Sequence, residues 1–293
     1  MNKIKFGIPK GSLQDTTINL LKKAGYSIKV KSRSYFPTVG DDELECILMR
    51  AQEIPRYVED GTIDLGISGY DWIQENNAKV QEVSELLYAK QGLGKVRWVL
   101  AVPEKSNIKS VKDLKGKKIA TELMNVSKKY LKKNGVSANL EFSWGATEIK
   151  PPQLADAIIE LTETGSTLYE NNLRIVDTVI ESSTRLIANK ESWKNAWKKK
   201  KITEISTLLL GAINAEQMVG LMMNVREKEL DKVLKILPSI TNPTISKLVN
   251  KNTKEPWVDV LVVLKEEEVR KLIIDLKNAG AEGIVEFPLN KVI

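Results

Sequence analysis

Asp156-Ala157-Ile158-Ile159-Glu160-Leu161-Thr162-Glu163-Thr164-Gly165-Ser166-Thr167-Leu168 is the stretch on which the fold turns. An apolar run reads as a strand, a loop with one glycine and four hydroxyl residues follows, and a helical pattern begins at Leu168-Tyr169-Glu170-Asn171. A strand handed to a helix through a short polar loop is the repeating joint of α/β proteins. Loop amides at such a joint point outward unpaired and the hydroxyls add donors, so a phosphate dianion fits there. Glu160, at the end of the strand, is placed to accept hydrogen bonds from the vicinal hydroxyls of a ribose. An acidic residue just before such a loop suits a phosphorylated sugar and has little use with plain phosphate. Glu163, inside the loop, counts against phosphate unless its side chain turns away. In isolation, an ordinary turn with a Ser/Thr cap reads the same.

The same joint recurs upstream. Residues 4–9 form a first strand, Pro9-Lys10-Gly11-Ser12 a turn, and Leu13, Thr17, Leu20, Leu21 and Ala24 recur at helical spacing until Gly25. Ser12 followed by Asp15 suggests a capping box. Lysine beside glycine at the carboxyl end of a strand is where an α/β sheet holds anions. Arg50, after a strand at 45–49, suits bidentate phosphate contacts, though a surface ion pair would serve as well. A third turn, Gly66-Ile67-Ser68-Gly69-Tyr70-Asp71, offers Asp71 to an amine edge or a ribose, or merely an acid to the first turn of a helix. Further strands are expected at 63–67, 97–102 and 118–121, and helices at 54–59, 70–74, 126–134 and 193–201. The last 80 or so residues change rhythm: strand 218–225, helix 227–237, strands 243–248 and 257–264, helix 266–279 and strand 283–289. That βαββαβ order is ferredoxin-like, suited to a dimerisation unit or a ligand sensor.

Composition narrows the chemistry. The chain has 293 residues, enough for two or three domains, with no apolar run long enough to span a membrane. Its N-terminal residues lack a secretory pattern, and a single cysteine, Cys46, excludes a disulfide framework and reads as a buried structural thiol. A cytoplasmic setting is expected. The formal charge of +7 favours anionic ligands, but it is dispersed lysine. The one dense run, Lys198–Lys201, reads as a solvated helix face, and no nucleic-acid-binding signature is present. There is no histidine at all. Imidazole bases, Ser-His-Asp hydrolysis and the usual zinc sites are therefore excluded. Transfer chemistry on phosphate-bearing substrates fits what remains: carboxylates, lysine, arginine, hydroxyls, amides or a hard metal ion.

Taken together, several pieces resemble the long-form ATP phosphoribosyltransferases. They are 9–13, 51–58, 69–73, 156–168, Glu181-Ser182-Ser183-Thr184-Arg185-Leu186-Ile187, Asn242-Pro243-Thr244-Ile245-Ser246 and 280–291. The pieces run nearly end to end, and those at the C-terminus separate the long form from the short. The resemblance implies an α/β, two-lobed periplasmic-binding-protein-like catalytic region followed by the ferredoxin-like regulatory domain. Lobe I would be 1–92 with 190–212, lobe II 93–189, and the regulatory domain 213–293. It further implies that ATP condenses with phosphoribosyl pyrophosphate in the cleft between the lobes, the first step of histidine biosynthesis. The sugar phosphate would be held by Asp156, Glu160, Thr162, Glu163, Thr164, Gly165, Ser166 and Thr167. ATP would lie near Lys10, Gly11, Arg50 and Asp71, with Lys10, Arg50 and Glu160 carrying the chemistry. Magnesium would be held mainly by the substrate's pyrophosphate, with no dedicated protein ligand. Histidine would inhibit by binding near Asn224, Thr244, Ser246 and Gly283, and the chain would assemble as homodimers and hexamers, without nucleic acid or membrane partners. A solute-binding protein, or a catalytically idle paralogue, would share the fold.

Overall fold

A computed structural model describes residues 2–31, 33–88, 94–238, 242–249 and 255–293. Two compact units are present, Met1–Ser206 and Thr207–Ile293, and the boundary falls within one helix. The expected junction between the lobes at 92/93 lies outside the described residues.

The first unit holds two five-stranded sheets. In chain order the first lobe begins β1 (Ile4–Lys10), α1 (Gln14–Ala24), a two-residue ribbon β2 (Ile28–Lys29) and β3 (Thr38–Val39), then β4 (Leu44–Arg50), α2 (Ile54–Glu59), β5 (Leu65–Gly69), α3 (Tyr70–Glu75) and β6 (Gln81–Leu86). The second lobe supplies β7 (Val96–Pro103), β8 (Lys118–Thr121), α4 (Met124–Lys133), β9 (Asn139–Phe142), β10 (Ala157–Thr162), α5 (Ser166–Glu170) and β11 (Leu173–Ser182). The chain then returns through β12 (Thr184–Ala188), α6 (Lys190–Lys194) and α7 (Ala196–Ala215). Sheet order is β4-β1-β5-β12-β6 in one lobe and β11-β7-β10-β8-β9 in the other.

The first sheet is buried on both faces, and its sequence shows why. Ile4, Phe6 and Ile8 of β1 are fully buried. Gly7 stands opposite Gly66 in the parallel β1–β5 register. A Cβ at Gly7 would come within 2.6 Å of Ile63, and one at Gly66 within 2.4 Å of Ile54, so this glycine pair flattens the surface on which α2 lies. Helix α1 starts at Gln14 with Leu13 at its cap and no side-chain cap bond, so the expected Ser12–Asp15 box is not formed. Its end is as expected: Gly25 adopts φ 107°, and the Tyr26 N–H returns to the Leu21 carbonyl at 2.8 Å.

Three expectations are corrected. The chain re-enters the first sheet at β12, paired with β5 and β6, and not at residue 190. This strand follows β11 after the single residue Ser183, with no turn signal between them to mark the crossing. The helix expected at 193–201 is two helices, the second running on to Ala215. Its lysine run is only half solvated: Lys199 and Lys200 face outward, whereas Lys198 pairs with buried Asp64, and Lys201, 12% exposed, reaches Asp41 at 2.8 Å and Glu43 at 2.6 Å. Lys201 is held protonated well above the usual lysine range by those two carboxylates, which outweigh its partial burial.

Cys46 is 2% exposed on β4, and burial pushes its thiol up to about 12. Native protein is therefore expected to leave it unmodified by a thiol reagent near pH 8, with full labelling only after denaturation. Rapid labelling of folded protein would refute this burial.

In the second unit, β13 (Met218–Arg226), α8 (Leu230–Ile236), β14 (Thr244–Lys247), β15 (Trp257–Lys265), α9 (Glu266–Asn278) and β16 (Ala281–Pro288) form the βαββαβ arrangement. The sheet is antiparallel throughout, in order β14-β15-β13-β16. Alternate residues Val219, Leu221, Met223 and Val225 meet Val258, Val260, Val262 and Leu264 in one core, closed by Val233 of α8 and by Val269 and Leu276 of α9.

Candidate active site

Parallel strands β1, β4 and β5 end at Lys10, Arg50 and Gly69, and parallel strands β8 and β10 of the other lobe end beside Glu122 and near Glu160. These carboxyl ends meet round one cavity of about 300 Å³. The structure brings Lys10, Arg50, Asp71, Glu160 and Glu163 to its lining. Lys10 and Arg50 are paired in register, and Lys10 Nζ lies 3.8 Å above the Tyr35 ring. Gly11 adopts φ 109°, and a Cβ there would sit 3.2 Å from Arg50 Nη1, so glycine both makes the turn and leaves the guanidinium its place.

Glu160 accepts from the Leu161 N–H at 2.9 Å and from the Thr147 side chain. Burial nevertheless raises its carboxyl above the usual range, and the neighbouring charges of Glu148 and Glu122 push the same way. Glu122 is raised for the same first reason, offset in part by a hydrogen bond from Gln52 of the other lobe and by Arg50. The cleft thus sets cations on one wall against two carboxylates that carry their charge reluctantly on the other.

The loop after β10 is tight. Thr162 Oγ1 accepts from the Gly165 N–H at 2.7 Å, Gly165 adopts φ 88°, and Thr164 Oγ1 and Ser166 Oγ are 3.0 Å apart. Helix α5 has only five residues, so the loop's hydroxyls and amides, more than any helix dipole, make it a place for an anion. Thr162, Thr164, Gly165, Ser166 and Thr167 follow the lining residue Glu163 or flank it without forming the cavity wall themselves.

Asp156 does not join them. It stands just before β10, about 20 Å from the loop at the rise of an extended strand. There it accepts from Lys118 N at 2.9 Å and Lys117 Nζ at 3.2 Å, bonds that hold its carboxyl below the usual range. Its proximity in sequence to Glu160 misled, because an extended strand separates its two ends.

Asp71 is 4% exposed and committed to structure. Oδ2 accepts from the Trp98 indole at 2.6 Å, and Oδ1 from Ser182 Oγ at 2.8 Å and the Trp72 N–H at 3.0 Å. Trp72 and Trp98 meet edge to face at 5.9 Å. Burial raises the Asp71 carboxyl in spite of these donors. Its place joins α3 of one lobe to β7 of the other. Asp71→Ala should cost about 2–3 kcal/mol in urea unfolding, because the indole N–H loses its acceptor, while Asp71→Asn, which keeps an amide oxygen, costs less. Equal stability of Asp71→Ala and the parent would refute this linking role.

A second link lies beside the cleft. Glu75, the last residue of α3, accepts from the Asn125 N–H at 2.9 Å and the Val126 N–H at 2.9 Å, at the start of α4 in the other lobe. Leu123, at the α4 cap position, supplies no side-chain bond of its own.

Sequence reasoning missed Gln52, Tyr88, Glu122 and the Ser182–Thr184 crossing, all of which line the cavity. Glu122 was findable: it stands just past the strand expected at 118–121, where the rule already applied to Lys10 and Arg50 would have flagged it.

Two sheets linked at Ser183, with a charged cleft at their carboxyl ends, define the two-lobed periplasmic-binding-protein-like class, here with a ferredoxin-like unit appended. The family described as "HisG: ATP phosphoribosyltransferase" matches residues 50–211, and "HisG, C-terminal domain" matches residues 215–291. An ATP phosphoribosyltransferase of Pelodictyon phaeoclathratiforme is 58% identical over 290 residues, covering 99% of this chain and 97% of the relative. One from Thermodesulfovibrio yellowstonii is 57% identical over 290 residues, 99% of this chain and 98% of the relative. Among solved structures, the ATP phosphoribosyl transferase (HisG:HisZ) complex from Thermotoga maritima superposes with TM-score 0.61 at 28% identity, covering 71% of this chain and 98% of that one. The chain belongs to the ATP phosphoribosyltransferase family, in its long form, the enzymes of the first step of histidine biosynthesis.

Proposed function

We propose that the cleft of the first unit seats ATP against Lys10, Gly11 and Arg50 and phosphoribosyl pyrophosphate against Glu160 and the 162–167 loop, and joins adenine N1 to ribose C1 with departure of pyrophosphate. The observation that supports this most is the convergence of strand ends from both sheets on one cavity, cations on one wall and carboxylates on the other. N1 already carries a lone pair, so the attack needs no general base, and a chain without histidine lacks nothing it needs. The reacting ribose carbon develops positive charge, as in glycoside cleavage. Glu160 and Glu122 set negative charge on that side, while Arg50 and Lys10 offset the charge of the departing pyrophosphate. Asp71, at the cavity lining, has its carboxylate engaged by Trp98, Ser182 and Trp72, and its part is to position the walls.

Among the described residues no group of three or more Cys, Asp or Glu side chains forms a metal cradle. Magnesium, which needs few protein ligands, would be carried chiefly by pyrophosphate oxygens and water, with Glu122 or Glu160 reached through water. The ion supplies charge neutralisation on the leaving group. Catalysis falls to residues 1–206 and regulation to the remainder, where histidine binds near Asn224, Thr244, Ser246 and Gly283. Homodimers and hexamers in the cytoplasm complete the reading; among the described residues no helix is long and apolar enough to cross a membrane. The test is ultraviolet absorbance of N1-phosphoribosyl-ATP from ATP and phosphoribosyl pyrophosphate with magnesium, with and without pyrophosphatase. Turnover that pyrophosphatase drives toward completion is expected; no product under either condition would overturn the reading.

A further inference from the structure

We propose that Asp259 holds the ammonium group of the amino acid bound by the second unit. This rests on the reading of that unit as a histidine site. The residues assigned there, Asn224, Thr244, Ser246 and Gly283, are all neutral, so they can bond a carboxylate or a ring nitrogen but cannot neutralise a cation. A zwitterion removed from water leaves its ammonium in need of an opposite charge.

The sheet register supplies one. Asp259 of β15 stands directly opposite Asn224 of β13 and directly opposite Ser246 of β14. Directly opposed side chains share a face, with Cβ atoms about 5 Å apart. Val258 and Val260 point into the core with Met223 and Val225, so Asp259, Asn224 and Ser246 point together to the face away from α8 and α9. Asp259 Oδ1 is buried and has no hydrogen-bond partner among the described residues. A buried carboxylate oxygen left without a donor calls for one. The cation nearest in register, Arg226, is turned elsewhere, 3.6 Å from Glu255 and 3.6 Å from Glu282 and over the Trp257 ring. At the other edge of the row, Gly283 has φ 59°, and a Cβ there would approach Asn224 Nδ2 to 3.3 Å. Glycine at this position keeps the amide beside Asp259 unobstructed. In that row Glu282 of β16, which stands opposite Asn224, is paired with Arg226, so Asp259 is the carboxylate with an unused oxygen, flanked by an amide and a hydroxyl, matching the ammonium and carboxylate of an amino acid.

Isothermal titration of the full chain with L-histidine and with imidazolepropionate, which lacks only the amino group, separates this from a structural role. The parent should prefer histidine, and Asp259→Asn should lower that preference about tenfold or more, the scale of a charge-assisted bond, with imidazolepropionate affinity unchanged within about twofold. Asp259→Ala, opposite an asparagine in an antiparallel pair, gives the same readout should asparagine disturb the sheet, and thermal melts verify folding of both. A retained preference for histidine overturns the assignment to Asp259, as does an equal loss of both ligands. Failure of the parent to bind histidine at all overturns instead the reading of the unit on which the inference rests.

Discussion

Glu160→Gln is expected to weaken phosphoribosyl pyrophosphate binding about tenfold or more while ATP affinity stays within about twofold. A carboxylate can accept from two vicinal hydroxyls at once, and the amide that replaces it keeps one acceptor and presents a donor to the other hydroxyl. On the proposed reading ATP lies against the opposite wall and does not meet this group. The pH dependence sharpens the test. Burial and the charges of Glu148 and Glu122 raise the Glu160 carboxyl, so its charge is lost on acidification earlier than that of an ordinary glutamate. Sugar-phosphate affinity should therefore fall with pH through a range above the usual carboxylate value. Substrate phosphate titration contributes a background common to both proteins, so the difference between the parent and Glu160→Gln isolates the side chain. Equal losses of both substrates, or parallel pH profiles, would remove Glu160 from the ribose.

Arg50→Met should lower kcat/KM about 100-fold, close to 2.7 kcal/mol at the transition state, with most of the loss in kcat. Among the described residues no carboxylate forms an ion pair with Arg50; its charge is felt by Glu122 across the cleft and is otherwise directed at the cavity. A cation aimed at a leaving group matters most as that group departs. Arg50→Lys should recover part of the loss, since charge returns without the bidentate fork. Steady-state kinetics with both substrates varied distinguish the cases: a loss under threefold, or one confined to KM, would assign Arg50 to ground-state binding or to the surface.

The sequence made legible those features written in local chemistry. Lys10-Gly11, Arg50 and the Thr162–Thr167 loop announce themselves because each follows a run of apolar β residues, and the second unit shows its alternation plainly in Trp257–Leu264. What remained hidden is non-local. β6, Gln81-Glu82-Val83-Ser84-Glu85-Leu86, is half polar and is a strand because β12 pairs with it. β11 has register shifts between Ile175 and Asp177 and between Thr178 and Ile180, which scramble the period-two pattern that reveals a strand. Asp71 reads as a ligand contact beside its glycine turn; only tertiary structure brings Trp98 and Ser182 to its oxygens. Asp156 and Glu160, close in sequence, are set apart because Asp156 stands before β10 and Glu160 lies well along it.

Glu75 gives the cleft a built-in bias. Because α4 borrows its terminal acceptor from the facing lobe, spreading the jaws strips that helix of its cap and hands two amides back to solvent. Substituting a helix cap typically costs about 1 kcal/mol, so a gaping conformer would be outnumbered severalfold on this account alone. Whatever admits and releases nucleotide must then trade against a helix end at the margin of the cleft.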